Sequence, residues 1–195
     1  MSMFLRHILA VTVSGALASS AMAADGTINF TGEVSAVSCK LTGGPGSTVT
    51  GSQGAAKVDV SLGKVSADSV PAGGKISASS TYINLLLDCG STATGLSAVE
   101  MRFDPLSGSG LDTHNNSLLQ TTGGAKGVGI GIYDHGNKLL NLAANDSITS
   151  TLTTGTGATP STTGTFSMRA AYLANGEPIV PGVANAELPF TLTYK

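Results

Sequence analysis

The chain has 195 residues, a formal net charge of −2 and charged side chains at only 11% of its positions. Without a basic stripe to attract phosphate, nucleic acid and anionic membrane surfaces are excluded as electrostatic partners. A chain of this length buries one adequate core as a single domain. Its 26 glycines, with abundant Ser and Thr, suit a β protein with many turns.

The first element is an address. Arg6 and His7 form a short basic start, Ile8 to Ala18 is mostly apolar, and Ala21-Met22-Ala23 supplies the small residues of a cleavage site. A bilayer span needs about 20 apolar residues, so residues 1–23 read as a secretory signal peptide removed after Ala23. No later apolar run approaches that length, and the mature chain is expected to be exported. It opens on an alternating segment, Gly26-Thr-Ile28-Asn-Phe30-Thr-Gly32.

Cys39 and Cys89 are the two cysteines, and in an oxidising compartment they are expected to form a structural disulfide. The chain-entropy model gives a bridge closing such a loop about 4 kcal/mol. Period-two alternation then recurs along the chain, in Val58/Val60/Leu62, Val99/Met101/Phe103, Val128/Ile130/Ile132 and Phe166/Met168/Ala170. Before Cys89 two phases compete, Ile83/Leu85/Leu87 and Tyr82/Leu86. Residues 154–164 read as a loop. Ala186, Leu188, Phe190, Leu192 and Tyr194 close the series on one face of an extended strand, with only Lys195 beyond them to supply a further partner. No segment has helical periodicity, and the pattern predicts an all-β sandwich.

Chemistry-bearing constellations are missing. His114 and His135 stand in separate Asn/Gly-rich turns, without the three or four spaced ligands a zinc or copper site needs. No G-x-S-x-G elbow occurs, and a Ser–His–Asp triad has no third partner. The stretch GVGIGIYD fails the spacing of a phosphate loop and reads as a strand with glycines on one face. Two sequon-like triplets begin at Asn115 and Asn145, a weak pattern. The sequence predicts no catalytic residue, no metal and no cofactor.

Several pieces in order carry a resemblance. These are GTINFTGEV before Cys39, VSLGKV at 60–65, the apolar run into Asp88-Cys89, VGIGIYD, AAY at 170–172 and PGVAN at 181–185. The most specific is Gly182 fourteenth from the end and Tyr194 second from it, with alternating apolar residues between. In these features the mature chain resembles the subunits of chaperone–usher fimbriae of Gram-negative bacteria, the type 1-like pilins.

The resemblance implies an incomplete immunoglobulin-like sandwich over 35–195, lacking its final strand and completed by a donor strand from another chain. It implies that segment 24–34 is a donor-strand extension, with Ile28 and Phe30 filling a neighbour's pockets and Gly26 and Gly32 lying where the groove is tight. Gly182, Ala186, Leu188, Phe190, Leu192 and Tyr194 would form the groove strand and the surface recognised by chaperone and usher. The implied partners are a periplasmic pilus chaperone, an outer-membrane usher and neighbouring fimbrial subunits. The implied destination is a surface fimbria contributing to adhesion or biofilm formation, reached through the periplasm. Only Ala24 and Asp25 precede Gly26, as in minor adaptor subunits, whereas the G-x-I-x-F-x-G register is that of rod-forming subunits, so the rod is favoured. The alternative is a self-contained secreted carbohydrate-binding sandwich. That reading asks for clustered surface aromatics, in a chain with no Trp, 4 Tyr and 5 Phe.

Overall fold

The alternating segments form antiparallel strands in a computed structural model that describes residues 39–195 apart from 92, 94 and 157–159. Residues 1–23, read above as a signal peptide, and segment 24–34, with Gly26, Ile28, Phe30 and Gly32, lie outside the described residues. The first sheet takes β1 (Lys40–Gly43), β4 (Thr81–Asp88), β10 (Thr162–Ala174), β7 (Val128–Tyr133) and β6 (Leu119–Gln120) in that order, with β9 (Thr153–Thr154) also on β10. The second sheet runs β11 (Phe190–Tyr194), β5 (Ala98–Phe103), β8 (Ser147–Thr151). A separate hairpin pairs β2 (Thr48–Thr50) with β3 (Lys57–Asp59). Short 3₁₀ turns occur at Ala67–Ser69, Pro105–Ser107 and Leu142–Ala144, and no α-helix is present among the described residues.

This order is immunoglobulin-like. Strands β1-β4-β10-β7 occupy the places of A, B, E and D, and β5 and β11 those of C and F. Among the described residues no strand stands where G would lie beside β11.

Burial decides the competing phases. Ile83, Leu85 and Leu87 point into the core, whereas Tyr82 and Leu86 are 57% and 45% exposed. Register places Phe166 opposite Leu85 and Leu87 opposite Leu41. The inner face of the second sheet supplies Val99, Met101 and Ile148 to the same core. Strand β7 is buried on both sides. Ile130 and Ile132 join the main core, while the glycine face meets a second cluster of Leu118, Tyr133, Ala171 and Leu173. A Cβ on Gly131 would lie 2.6 Å from Leu173 Cδ1 and 2.8 Å from Leu139 Cδ1, so the bare backbone makes room for that second layer. The Tyr133 hydroxyl donates towards the carbonyls of Gly74 and Lys75 at 3.2 and 3.1 Å, closing this cluster.

Three expectations need correction. Residues 154–164 are not all loop, because β10 begins at Thr162 and Thr154 pairs with it. Val60 and Leu62 pack on the core beyond the end of β3 rather than inside a strand. The closing strand spans Phe190–Tyr194 and does not reach back to Ala186. Pro189 has no N–H for a ladder, and residues before it bond elsewhere.

Phe166 is fully buried between the sheets. Phe166→Ala should therefore cost about 3–5 kcal/mol, read as a lower urea midpoint at unchanged slope.

Candidate functional site

Strand β11 is the edge of its sheet. It pairs antiparallel with β5, Phe190 opposite Phe103, Leu192 opposite Met101 and Tyr194 opposite Val99. Among the described residues it has no second strand partner. Val99 and Met101 on β5 are fully buried, yet Phe190, Leu192 and Tyr194 beside them are only half-buried. Across from them, β1 and the β2–β3 hairpin bring Leu41, Val49, Ala56 and Val58 against the same core. A groove with apolar walls results. At its disulfide end lies a cavity of about 590 Å³ whose lining includes Cys39, Leu41, Ala56, Phe190, Leu192 and Tyr194.

The groove is anchored at this end. Cys39 and Cys89 form the disulfide, joining the start of β1 to the end of β4. The Cys39 backbone N–H donates to the Tyr194 hydroxyl at 3.1 Å, tying the first sheet to β11. An extended segment laid along such an edge can gain ladder hydrogen bonds, while alternate side chains fill the apolar wall; this is a general mode of peptide recognition, of which chaperone–pilin donor-strand complementation is a known instance.

The six residues grouped in the sequence separate here. Phe190, Leu192 and Tyr194 lie on β11 and face the groove. Ala186 and Leu188 pack against the core from an irregular strap before the strand. Gly182 lies further back, where the strap crosses residues 124–125.

On the outer face of β5 stands a polar cluster that the sequence does not reveal. Glu100 is 5% exposed. Its carboxylate meets Lys195 Nζ at 2.5 Å, accepts from the Ser147 hydroxyl at 2.6 Å and pairs with Arg102 Nη2 at 3.2 Å. The Lys195 ammonium first, and the Ser147 hydroxyl after it, hold the Glu100 carboxyl at about 2 against the opposing effect of burial. In VEMRF this glutamate reads as an ordinary solvent-facing position, because Lys195 and Ser147 reach it from beyond the end of β11 and from the start of β8.

The histidines stand apart from the groove. His114 is exposed beside Asp112 and Glu177, with ring nitrogens 4.0 and 3.5 Å from their carboxylates, and His135 is exposed in its turn. No group of three metal-ligating His, Cys, Asp or Glu side chains occurs among the described residues. Among the described residues Tyr82 is the exposed aromatic, with the Arg169 guanidinium stacked 4.1 Å from its ring centre.

Comparison with known proteins gives consistent matches. The family model described as "Fimbrial protein" matches residues 28–195. Long polar fimbria protein A of Salmonella typhimurium is 34% identical over 194 residues, covering 96% of each chain. A type-1 fimbrial protein subunit of Serratia marcescens is 32% identical, again over 96% of both. A probable major fimbrial subunit of Escherichia coli O157:H7 is 28% identical over the full length of each.

The Glu100 cluster makes a pH prediction. A carboxyl lowered from 4.5 to about 2 contributes stability that is complete above its unfolded value and is lost as pH falls towards the folded one. Glu100→Gln should lower the thermal midpoint at neutral pH and flatten its decline between those two values. Parallel pH profiles for the two proteins would contradict this.

Proposed function

Because the chain belongs to the fimbrial protein family and is a structural subunit of a fimbrium, we propose that it polymerises by donor-strand exchange. Segment 24–34 of one subunit lies along the β11 groove of another. Ile28 and Phe30 enter the apolar wall, and Gly26 and Gly32 pass where space is least. The observation that carries this reading is the edge position of β11, with Phe190, Leu192 and Tyr194 half-buried beside a strand whose Val99 and Met101 are fully buried.

Physical chemistry supports the assignment. An unpaired strand edge leaves N–H and C=O groups without partners and invites aggregation unless it is covered. Each large donor side chain contributes about 1.5–3 kcal/mol on burial, and a strand bonded along its length must unzip to leave, which gives kinetic durability. Before assembly the same edge needs a temporary cover, the role of a periplasmic chaperone, and an outer-membrane usher is where one cover replaces the other. The G-x-I-x-F-x-G register favours a rod subunit over an adaptor, and the similarity to a probable major subunit agrees. The fibre serves adhesion or biofilm formation at the cell surface. As a building block the chain performs no catalysis.

Phe30→Arg places a charge on the donor face. It should prevent addition to the preceding subunit and shorten or abolish fibres, while chaperone capture of the variant through its own groove stays normal. Wild-type fibre length in electron micrographs would remove Phe30 from the donor role.

A further inference from the structure

We propose that Gly182 and Tyr194 act inside the subunit, as two pins that hold the strap and strand 182–194 and so fix the position of the β11 edge. The strap follows a continuous line of hydrogen bonds. Val180 and Lys126 exchange backbone bonds at 3.0 and 3.1 Å, and the Ala125 N–H donates to the Val183 carbonyl at 3.0 Å. Asn185 and Thr122 exchange bonds at 3.0 and 2.7 Å, and the Tyr172 hydroxyl donates to the Ala184 carbonyl at 2.9 Å. Further on, Ser109 N–H donates to the Glu187 carbonyl and Asp104 N–H to that of Pro189, at 3.0 and 2.8 Å. The strap thus crosses from the first sheet's side of the molecule to the start of β11 without a free turn.

Gly182 sets where this line begins. A Cβ there would stand 2.4 Å from the Ala125 nitrogen, 2.5 Å from the Gly124 carbonyl carbon and 2.9 Å from its oxygen. All three are backbone atoms, so no rotamer change relieves the clash. Any side chain must lift the strap off its seat or break the Ala125–Val183 bond beside it. Near its end the line is held to β5 by the backbone bonds of Lys195 with Ser97 and Ala98, and Tyr194 ties it across to the first sheet through the bond from the Cys39 N–H to its hydroxyl. Cys39 cannot follow a displaced strand, because the disulfide fixes it to Cys89. Between these ends β11 is held by a single described strand partner, β5. A shift of the strap at one end, or of the ring at the other, would therefore be passed to the β11–β5 ladder rather than absorbed by a second partner.

The assignment gives the two residues an intramolecular task, and it stands whether or not the donor-strand reading does. The test uses the full chain produced in the periplasm, as wild type, Gly182→Ala and Tyr194→Phe, the last of which removes a hydroxyl and nothing else. Amide hydrogen exchange is followed for β11 and, as the reference, for β4 and β10. Both variants should speed exchange in β11 by about fivefold or more while the reference strands change less than about twofold. No acceleration in either variant, acceleration in only one, or an equal rise across both sheets would overturn the proposal. Capture by a pilus chaperone is measured on the same samples. Weakened capture with β11 protection unchanged would assign the pair to partner recognition and likewise overturn it.

Discussion

The hydrogen-bonded ladder between β11 and β5 is the constraint on which the rest of the structure depends. It is the described strand contact through which Phe190, Leu192 and Tyr194 are held against the core, and it leaves the other edge of β11 to be answered from elsewhere. An unanswered edge is a hazard for a secreted protein and an opportunity for an assembling one. The sandwich behind it explains how such an edge is kept in shape. Leu85, Leu87 and Phe166 fill the interior from one sheet, and Val99, Met101 and Ile148 from the other, so β5 is fixed before β11 is considered. The disulfide then fixes β1 across the groove.

Two layers share the support. The main core lies between the sheets, and a smaller one sits outside β7, where Leu118, Leu173 and Tyr133 pack over a glycine face. That outer layer stabilises the far side of the first sheet, while the segment leading to β11 crosses from it to the second sheet. A charged cluster lies on the outer face of the second sheet, away from this core. Glu100 and Arg102 on β5, Ser147 at the start of β8 and Lys195 just beyond β11 join three strands on the outer face, where a charge network can hold register without entering the apolar groove.

Much of the fold is legible in the sequence where large apolar residues alternate with small or polar ones. Val99/Met101, Ile130/Ile132 and Phe166/Met168 are such cases, and each alternation corresponds to a strand. The disulfide too is readable, from two cysteines in a chain whose first residues read as an export signal. Strands β1, β2 and β8 are harder to see, since KLTG, TVT and SITST carry a single large apolar residue each and their pairing is decided by distant neighbours. The alternation from Ala186 to Tyr194 overstates its strand. Ala186 and Leu188 do face the core, but beside them the backbone of Glu187 bonds to Ser109 and that of Pro189 to Asp104, and Pro189 blocks a continuous ladder. Gly182 is visible as a glycine beside a proline, yet what makes it necessary is the backbone of residues 124–125, nearly sixty positions away. Glu100 is the plainest omission, because burial by charged neighbours leaves no period in the sequence.

The most direct test of the account is a gel of protein sheared from the cell surface, run in SDS with and without boiling. Subunits joined by inserted strands predict a ladder of multimers in the unboiled lane that collapses to one band on boiling, since the links are non-covalent and kinetically durable. A single monomer band in both lanes, from protein that is abundant and folded, would contradict the account. It would mean that the β11 edge is satisfied within its own chain.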